Sequence, residues 1–308
     1  MQEQITSNIL MIRPVKFSYN KETAGTNKFQ QSDSNAEINV GESAQKAFDE
    51  FAEQLKLRDI NVLIFNDTLE PFTPDSIFPN NWISTHYSGK AILYPMEAEN
   101  RRAERRMDIL DELKKNFDLD VILDFSHFEE EGKFLEGTGS LVLDRMSRIA
   151  YACLSSRTHP DVLKAWQKQM NGYEIVTFNA LDEDGDAIYH TNVLMCMGDT
   201  FCVICLSAIP NLDERLMVKQ KIENSGKEII EISMEQMNNF AGNMLLLKNK
   251  YEKKFIVMST RALASLNANQ IDNLDFKAEI IACDLGVIET FGGGSARCMI
   301  AEIHLPEK

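Results

Sequence analysis

The sequence predicts an α/β protein in which single helices alternate with groups of two or three short strands. Two observations predict it. Five amphipathic helix candidates begin near Glu42, Arg101, Pro160, Pro210 and Arg261, about 50–60 residues apart. Between them lie short apolar runs rich in β-branched and aromatic residues. This rhythm fits one supersecondary unit repeated about five times. It fits an ordinary α/β sheet equally well, because helices and strands alternate there too.

The elements follow in chain order. The first helix places Ala44, Phe48, Phe51 and Leu55 on one face, and the second does the same with Met107, Leu110, Leu113 and Phe117. Pro160 and Pro210 are expected in first helical turns, where a missing N–H costs nothing. A short helix over 233–240 is signalled by Ser233 as cap with Gln236 three residues on. Strands are predicted at 61–65, 91–94, 121–125, 141–144, 149–154, 173–178, 193–196 and 201–206. Five more are predicted at 227–232, 244–247, 255–259, 279–283 and 299–303. The polar stretch from Gln30 to Glu42 reads as a surface loop, and no linker divides the chain. One domain over 1–308 is expected, with residues 1–8 as a short tail.

Composition narrows the function. With 47 acidic and 32 basic side chains the formal charge is −15, which repels phosphate backbones, so nucleic acid is not an expected partner. The first residues lack a basic, apolar leader, and no run reaches the length of a membrane span, so no secretory signal and no membrane partner are expected. Cys153, Cys196, Cys202 and Cys205 lie in apolar strands and read as buried thiols of a cytoplasmic protein. The arginines of Arg101-Arg102-x-x-Arg105-Arg106 read as a solvated helix face.

A few segments could carry chemistry. Phe291-Gly292-Gly293-Gly294-Ser295-Ala296-Arg297-Cys298 lets the backbone turn sharply and delivers a Cys at a strand mouth. A neighbouring arginine favours a thiolate there. A tight turn before a merely buried Cys fits the same run. His190 and Asn192 would share one face of a strand by alternation, as pocket residues or as a surface polar pair. Glu136, followed by Gly-Thr-Gly, is held at a strand start, facing a cleft or solvent. The loop from Pro74 to Trp82 mixes turn residues with large aromatics, which suits ligand contact as well as simple pinning.

Taken in order, these segments resemble the guanidine-modifying (pentein) superfamily, and within it the arginine-deiminase-related, citrulline-utilization hydrolases. The resemblance is carried by Met11-Ile12-Arg13-Pro14, the loop Pro74–Trp82, Leu135-Glu136-Gly137-Thr138-Gly139-Ser140, Leu154-Ser155-Ser156-Arg157-Thr158, Tyr189-His190-Thr191-Asn192 and the glycine run ending at Cys298. It implies a five-bladed α/β propeller of ββαβ-type units around a central site. It implies Cys298 as nucleophile, His190 as general acid/base and Glu136 as the carboxylate that binds guanidine nitrogens. Asp75, Asn80, Asn81 and Asn192 would contact the reacting group, and Arg157 the substrate carboxylate.

The implied activity is hydrolysis of a C–N bond in a linear guanidino or ureido amino acid, arginine or citrulline, through a covalent thiouronium, with no cofactor and no metal. Amides stand at Asn192 and Asn80–Asn81 where many relatives carry carboxylates, which suits a neutral ureido group. An amidinotransferase would share the same Cys and His. A non-catalytic binding protein of this fold would lack them.

Overall fold

The computed structural model describes residues 3–31, 39–170 and 172–308; part of the expected loop between Gln30 and Glu42 lies outside them. Five three-stranded sheets are present, each built to one plan. A short inner strand pairs antiparallel with a middle strand, and the middle strand pairs parallel with an outer one reached through a helix. In chain order the second to fifth sheets use Ile83–His86, Lys90–Leu93 and Val121–Asp124, then Val142–Asp144, Ile149–Cys153 and Glu174–Phe178. Next come Met195–Met197, Phe201–Ile204 and Glu228–Glu231, then Leu245–Lys248, Lys254–Ser259 and Glu279–Cys283. The first sheet joins the chain ends. Asn8–Arg13 runs parallel to Asn61–Asn66 and antiparallel to Ala301–Glu302. A parallel pair cannot be closed by a tight hairpin, so every unit needs its crossover helix. This is the ββαβ propeller, and the ordinary single sheet is excluded.

The crossover helices form where the apolar spacing places them. Val40–Lys56 is capped by the Asn39 side chain and buries Ala44, Phe48, Phe51 and Leu55. Each phenylalanine there removes enough apolar surface to stabilise the fold by about 2–3 kcal/mol. Met107–Asn116 buries Leu110 and Leu113, while Met107, in its first turn, is exposed. Pro160 opens its helix as expected. Pro210 does not: Asn211 is the cap, accepting from Asp213 and Glu214 N–H, and the helix begins at Leu212. The capping box of Ser233 and Gln236 is present.

Two expectations fail for physical reasons. The segment after residue 2 is not a tail, since Gln4, Ile5 and Thr6 are buried and the Gln4 amide donates to the Leu143 carbonyl at 2.8 Å. It leads straight into the central strand of the first sheet. The strand expected at Val193–Cys196 is shifted, because Thr191–Leu194 forms a single helical turn and pairing starts at Met195.

That helical turn belongs to a pattern. Every inner strand is entered through a tight turn: Pro79–Asn81, Gly137–Ser140, Thr191–Leu194, Phe240–Asn243 and Ser295–Cys298. The turns are stitched together. Thr138 Oγ1 donates to Asn80 O at 3.3 Å, and Thr191 Oγ1 to Ser140 O at 2.6 Å. Asn243 Nδ2 donates to Asn192 O at 3.0 Å, and Arg297 N–H to Asn243 Oδ1 at 3.2 Å. Glycines permit the close approach. A Cβ on Gly137 would stand 2.2 Å from Asn80 O, and one on Gly242 2.3 Å from Val193 O. Among the described residues no helix is long and apolar enough to cross a membrane.

Candidate active site

The five turns converge, and each brings a polar or nucleophilic side chain. A narrow cavity is lined by Cys298, His190, Asp75, Asn81, Arg101 and Arg157, among others, with Gly292–Gly294 along one side. Cys298 and His190, more than a hundred residues apart in sequence, share it. Glu136 and Asn192 stand directly behind the wall, bonded to residues that form it. Phe17–Gln31 crosses the mouth as a strap: Asn20 and Thr23 reach Asp75, Asn27 reaches Gly292 O, and Gln30 reaches Phe291 O.

Glu136 is fully buried and is the electrostatic centre. Its Oε2 lies 2.8 Å from His190 Nε2 and 3.4 Å from Arg157 Nη1, and its Oε1 accepts from the Glu97 N–H. Burial alone would raise this carboxyl, but Arg157, His190 and Arg101 hold it well below the usual carboxylate range. His190 is pushed the other way by burial, down to about 4, with the Glu136 contact only partly opposing. The pair is thus a carboxylate accepting from a neutral imidazole, which leaves Nδ1 as the ring's basic atom.

Cys298 sits in a turn closed by its own N–H on Ser295 O at 3.0 Å. Its sulfur is met by two amide groups, Asn192 Nδ2 at 3.4 Å and Asn243 Nδ2 at 3.2 Å. Arg297 turns away from the sulfur, donating to Ile300 O and pairing with Glu302 at 2.9 Å.

Asp75 is buried, and burial raises its carboxyl against the pull of Arg101. Its Oδ2 accepts from Asn20 and Thr23, while Oδ1 has no partner among the described residues. Asn81 offers Oδ1 to Arg101 and leaves Nδ2 unpaired among the same residues. Asn192 Oδ1 and both amide atoms of Asn80 are also unpaired among them, though Asn80 is not on the cavity wall. Buried polar atoms without partners are costly, and here several cluster around one cavity. Arg157 is buried with its guanidinium on Glu97, Glu136, Thr23 O and Thr26, and stacked over Tyr189.

Two site residues were not anticipated. Arg101 is not on a solvated face. It is buried, bonds Glu104 through two N–H groups at 2.8 and 2.9 Å, and donates to Asn81 Oδ1 and Phe78 O. The arginine run spans a broken helix, Glu99–Arg102 then Met107–Asn116, so its members do not share a face. The available signal was Glu104 three residues on. Asn243 was missed because nothing local marks it beyond Gly242 and the strand that follows. Nor do His190 and Asn192 alternate along a strand. His190 is extended at the head of the helical turn and bonds Glu136, while Asn192, inside the turn, reaches Cys298.

The sequence from 13 to 305 matches the family model for N,N dimethylarginine dimethylhydrolase, eukaryotic. No curated protein matches it. Among solved structures, the product-bound N-terminal domain of ArgZ, an arginine dihydrolase from Cyanobacteria, superposes with a TM-score of 0.76 at 17% identity, covering 99% of each chain. The match to apo ArgZ spans only 41% of that longer chain. A dimethylarginine dimethylaminohydrolase adduct with S-methyl-L-thiocitrulline gives 0.64 at 15% identity, over 97% of this chain and 100% of the other. These likenesses carry the fold. The chain belongs to the N,N-dimethylarginine dimethylhydrolase family, Cys-dependent hydrolases that act on the C–N bonds of amidines.

Proposed function

We propose that this member of the family hydrolyses a linear guanidino amino acid, arginine or an N-methylated arginine, with Cys298 as nucleophile, His190 as general acid/base and Glu136 as the carboxylate that receives the guanidinium. The observation that carries the reading is that His190, bonded through Nε2 to Glu136 at 2.8 Å, and Cys298 line one cavity. Charge favours a cation. Among the described residues, the arginines that pair with Asp75, Glu97, Glu104 and Glu136 in the site are Arg101 and Arg157. A bound guanidinium supplies N–H donors to the open Asp75 Oδ1 and offsets part of the excess negative charge.

The steps follow from these groups. The substrate guanidinium takes the place on Glu136 that Arg157 Nη1 holds, freeing Arg157 to fork onto the substrate carboxylate. Neutral His190 accepts the thiol proton, and the sulfur attacks the guanidinium carbon. The imidazolium returns that proton to the departing ammonia, methylamine or dimethylamine, leaving a thiouronium on Cys298. A water, deprotonated by His190, then releases the ureido product and regenerates the thiol. The unpaired Asn81 and Asn192 amides can serve a neutral group, so citrulline is a second, slower substrate of the same site. A reducing compartment such as the cytoplasm suits six unbridged thiols.

Amine release from arginine, N,N-dimethylarginine and citrulline tests the proposal, with mass spectrometry of the quenched protein. Turnover of the guanidino compounds and a substrate-derived mass on Cys298 are expected. Inertness toward all three compounds would end it.

A further inference from the structure

Four of the five strand-entry turns supply residues that the sequence already singles out. They are Asn80 and Asn81, Glu136 at the head of Gly137–Ser140, His190 and Asn192, and Cys298. The turn that enters the Leu245–Lys248 strand supplies Asn243 at the equivalent place, and Asn243 is 1% exposed. We propose that Asn243 is a further catalytic residue, supplied by the fifth turn: its amide binds the Cys298 thiolate and aims it at the substrate carbon. The inference rests on Cys298 being the nucleophile.

The geometry fixes the direction of the hydrogen bond. An asparagine amide can be turned end for end, and often only its neighbours decide which end is which. Here they decide it. Arg297 N–H, 3.2 Å away, can only donate, so the atom facing it is Oδ1. Asn192 O, 3.0 Å away, can only accept, so the atom facing it is Nδ2. Nδ2 is therefore the end that meets Sγ at 3.2 Å, and the sulfur receives a donor. A sulfur receives such a bond best when it carries the negative charge. Asn192 presents a second Nδ2 at 3.4 Å, but among the described residues its Oδ1 has no partner to pin its orientation.

The local backbone is shaped to bring Asn243 there. Phe240 adopts a positive φ of 63°, an unusual conformation for a bulky side chain, and the turn closes with Asn243 N–H on Phe240 O at 2.9 Å. Gly242 lies so close to Val193 O that any side chain would collide. The turn is thereby pressed against the Thr191–Leu194 turn. Asn243 spans from the backbone of the His190 turn to the backbone beside Cys298, and so sets the spacing between them.

The reaction makes a charged acceptor out of a neutral thiol. A donor preorganised toward that sulfur is worth more to the thiolate than to the thiol, and nothing has to reorganise when the charge forms. Asn243→Ala removes the donor. Asn243→Asp keeps the shape and the acceptor for Arg297 N–H, but sets a carboxylate against the sulfur.

The test measures alkylation of Cys298 by iodoacetamide without substrate, near neutral pH, followed by peptide mass spectrometry, with thiolate ultraviolet absorbance as a second readout. Alkylation is expected to fall roughly tenfold in Asn243→Ala, in line with one hydrogen bond to a charged acceptor, and further in Asn243→Asp. A role confined to packing predicts the opposite sign for Ala, because removing the side chain opens a path to the sulfur. Unchanged or faster alkylation in a variant whose circular dichroism matches the parent overturns the proposal. No substrate is involved, so a wrong assignment of the hydrolase activity would show instead as a parent protein with a reactive Cys298 and no turnover.

Discussion

At the scale of single residues, the site is held by charges removed from water. Arg101 carries the heaviest share. Burial disfavours its charge, yet Glu104, Asp75 and Glu136 hold it protonated, above its ordinary range. Glu104, also fully buried, is pushed up to about 7 by burial, with Arg101 opposing. Breaking such a pair leaves one buried carboxyl without its partner, next to two others. Arg101→Met is therefore expected to cost about 3–5 kcal/mol in urea unfolding, with Arg101→Met/Glu104→Leu recovering part of the loss. A change below about 1 kcal/mol would show that the pair is solvated after all. Arg101 also shows where sequence falls short at this scale. Nothing in an arginine-rich run tells which guanidinium faces inward, because that depends on a helix break. Glu136, His190 and Cys298 each sit beside glycines or a polar pair at the head of an apolar run, which marks them as candidates but fits a plain turn, a surface pair or a buried thiol as well; the family resemblance singles them out.

At the scale of elements, the candidate site is built from five short turns more than from the sheets behind them. Gly137–Ser140 shows how tightly they are fitted. Gly137 has a φ of +48°, and a Cβ on Gly139 would lie 2.4 Å from Asn81 Nδ2 and 2.8 Å from His190 Nδ1. Both contacts are with groups that line the cavity. Gly139→Ala should displace the imidazole and the Asn81 amide while leaving the sheets intact. Turnover is expected to fall about a hundredfold or more, as displacements near 1 Å do in positioned sites, with only a small drop in melting temperature. Retention of most activity would show that the turn has slack. The crossover helices and most strands were readable from apolar period. Two strands were not. Asn8–Arg13 was partly hidden in an expected tail, and Ile83–His86 has Ser, Thr and His in three of its four positions. Of the five turns only Thr191–Leu194 was taken for strand, because one helical turn is too short for a period of 3.6 to declare itself.

At the scale of the whole molecule, the packed centre sets how stability responds to acid. Three of the five histidines, His86, His190 and His304, are buried. Burial lowers His190 and His304 to about 4 and His86 well below its usual value, with Arg145 adding to the effect at His86 and His304. Unfolded histidines take up protons near pH ~6.5. Below that value the unfolded chain binds more protons than the folded one, so stability is greatest above it and is lost as the pH falls toward the folded values. At pH ~5, each such histidine costs about 2 kcal/mol. Glu136 and Glu302 are held below the usual carboxylate range and act in the same direction, but only once the pH falls through the unfolded carboxylate range near ~4.3. Glu104 and the formal charge of −15 work the other way. Glu104, raised to about 7 by burial, takes up its proton in the folded chain before the unfolded one does, offsetting about one of the three histidines. Protonation also relieves the self-repulsion of the formal charge. That charge is spread over the surface and is screened at about 0.15 M salt, whereas the buried imidazoles are not. At that ionic strength the melting temperature should fall steadily between pH ~7 and ~5. Replacing His86 and His304 by Gln should flatten the slope while leaving the turns around Cys298 in place. A melting temperature that holds level or rises over that interval would mean that the buried imidazoles accept protons in the folded state.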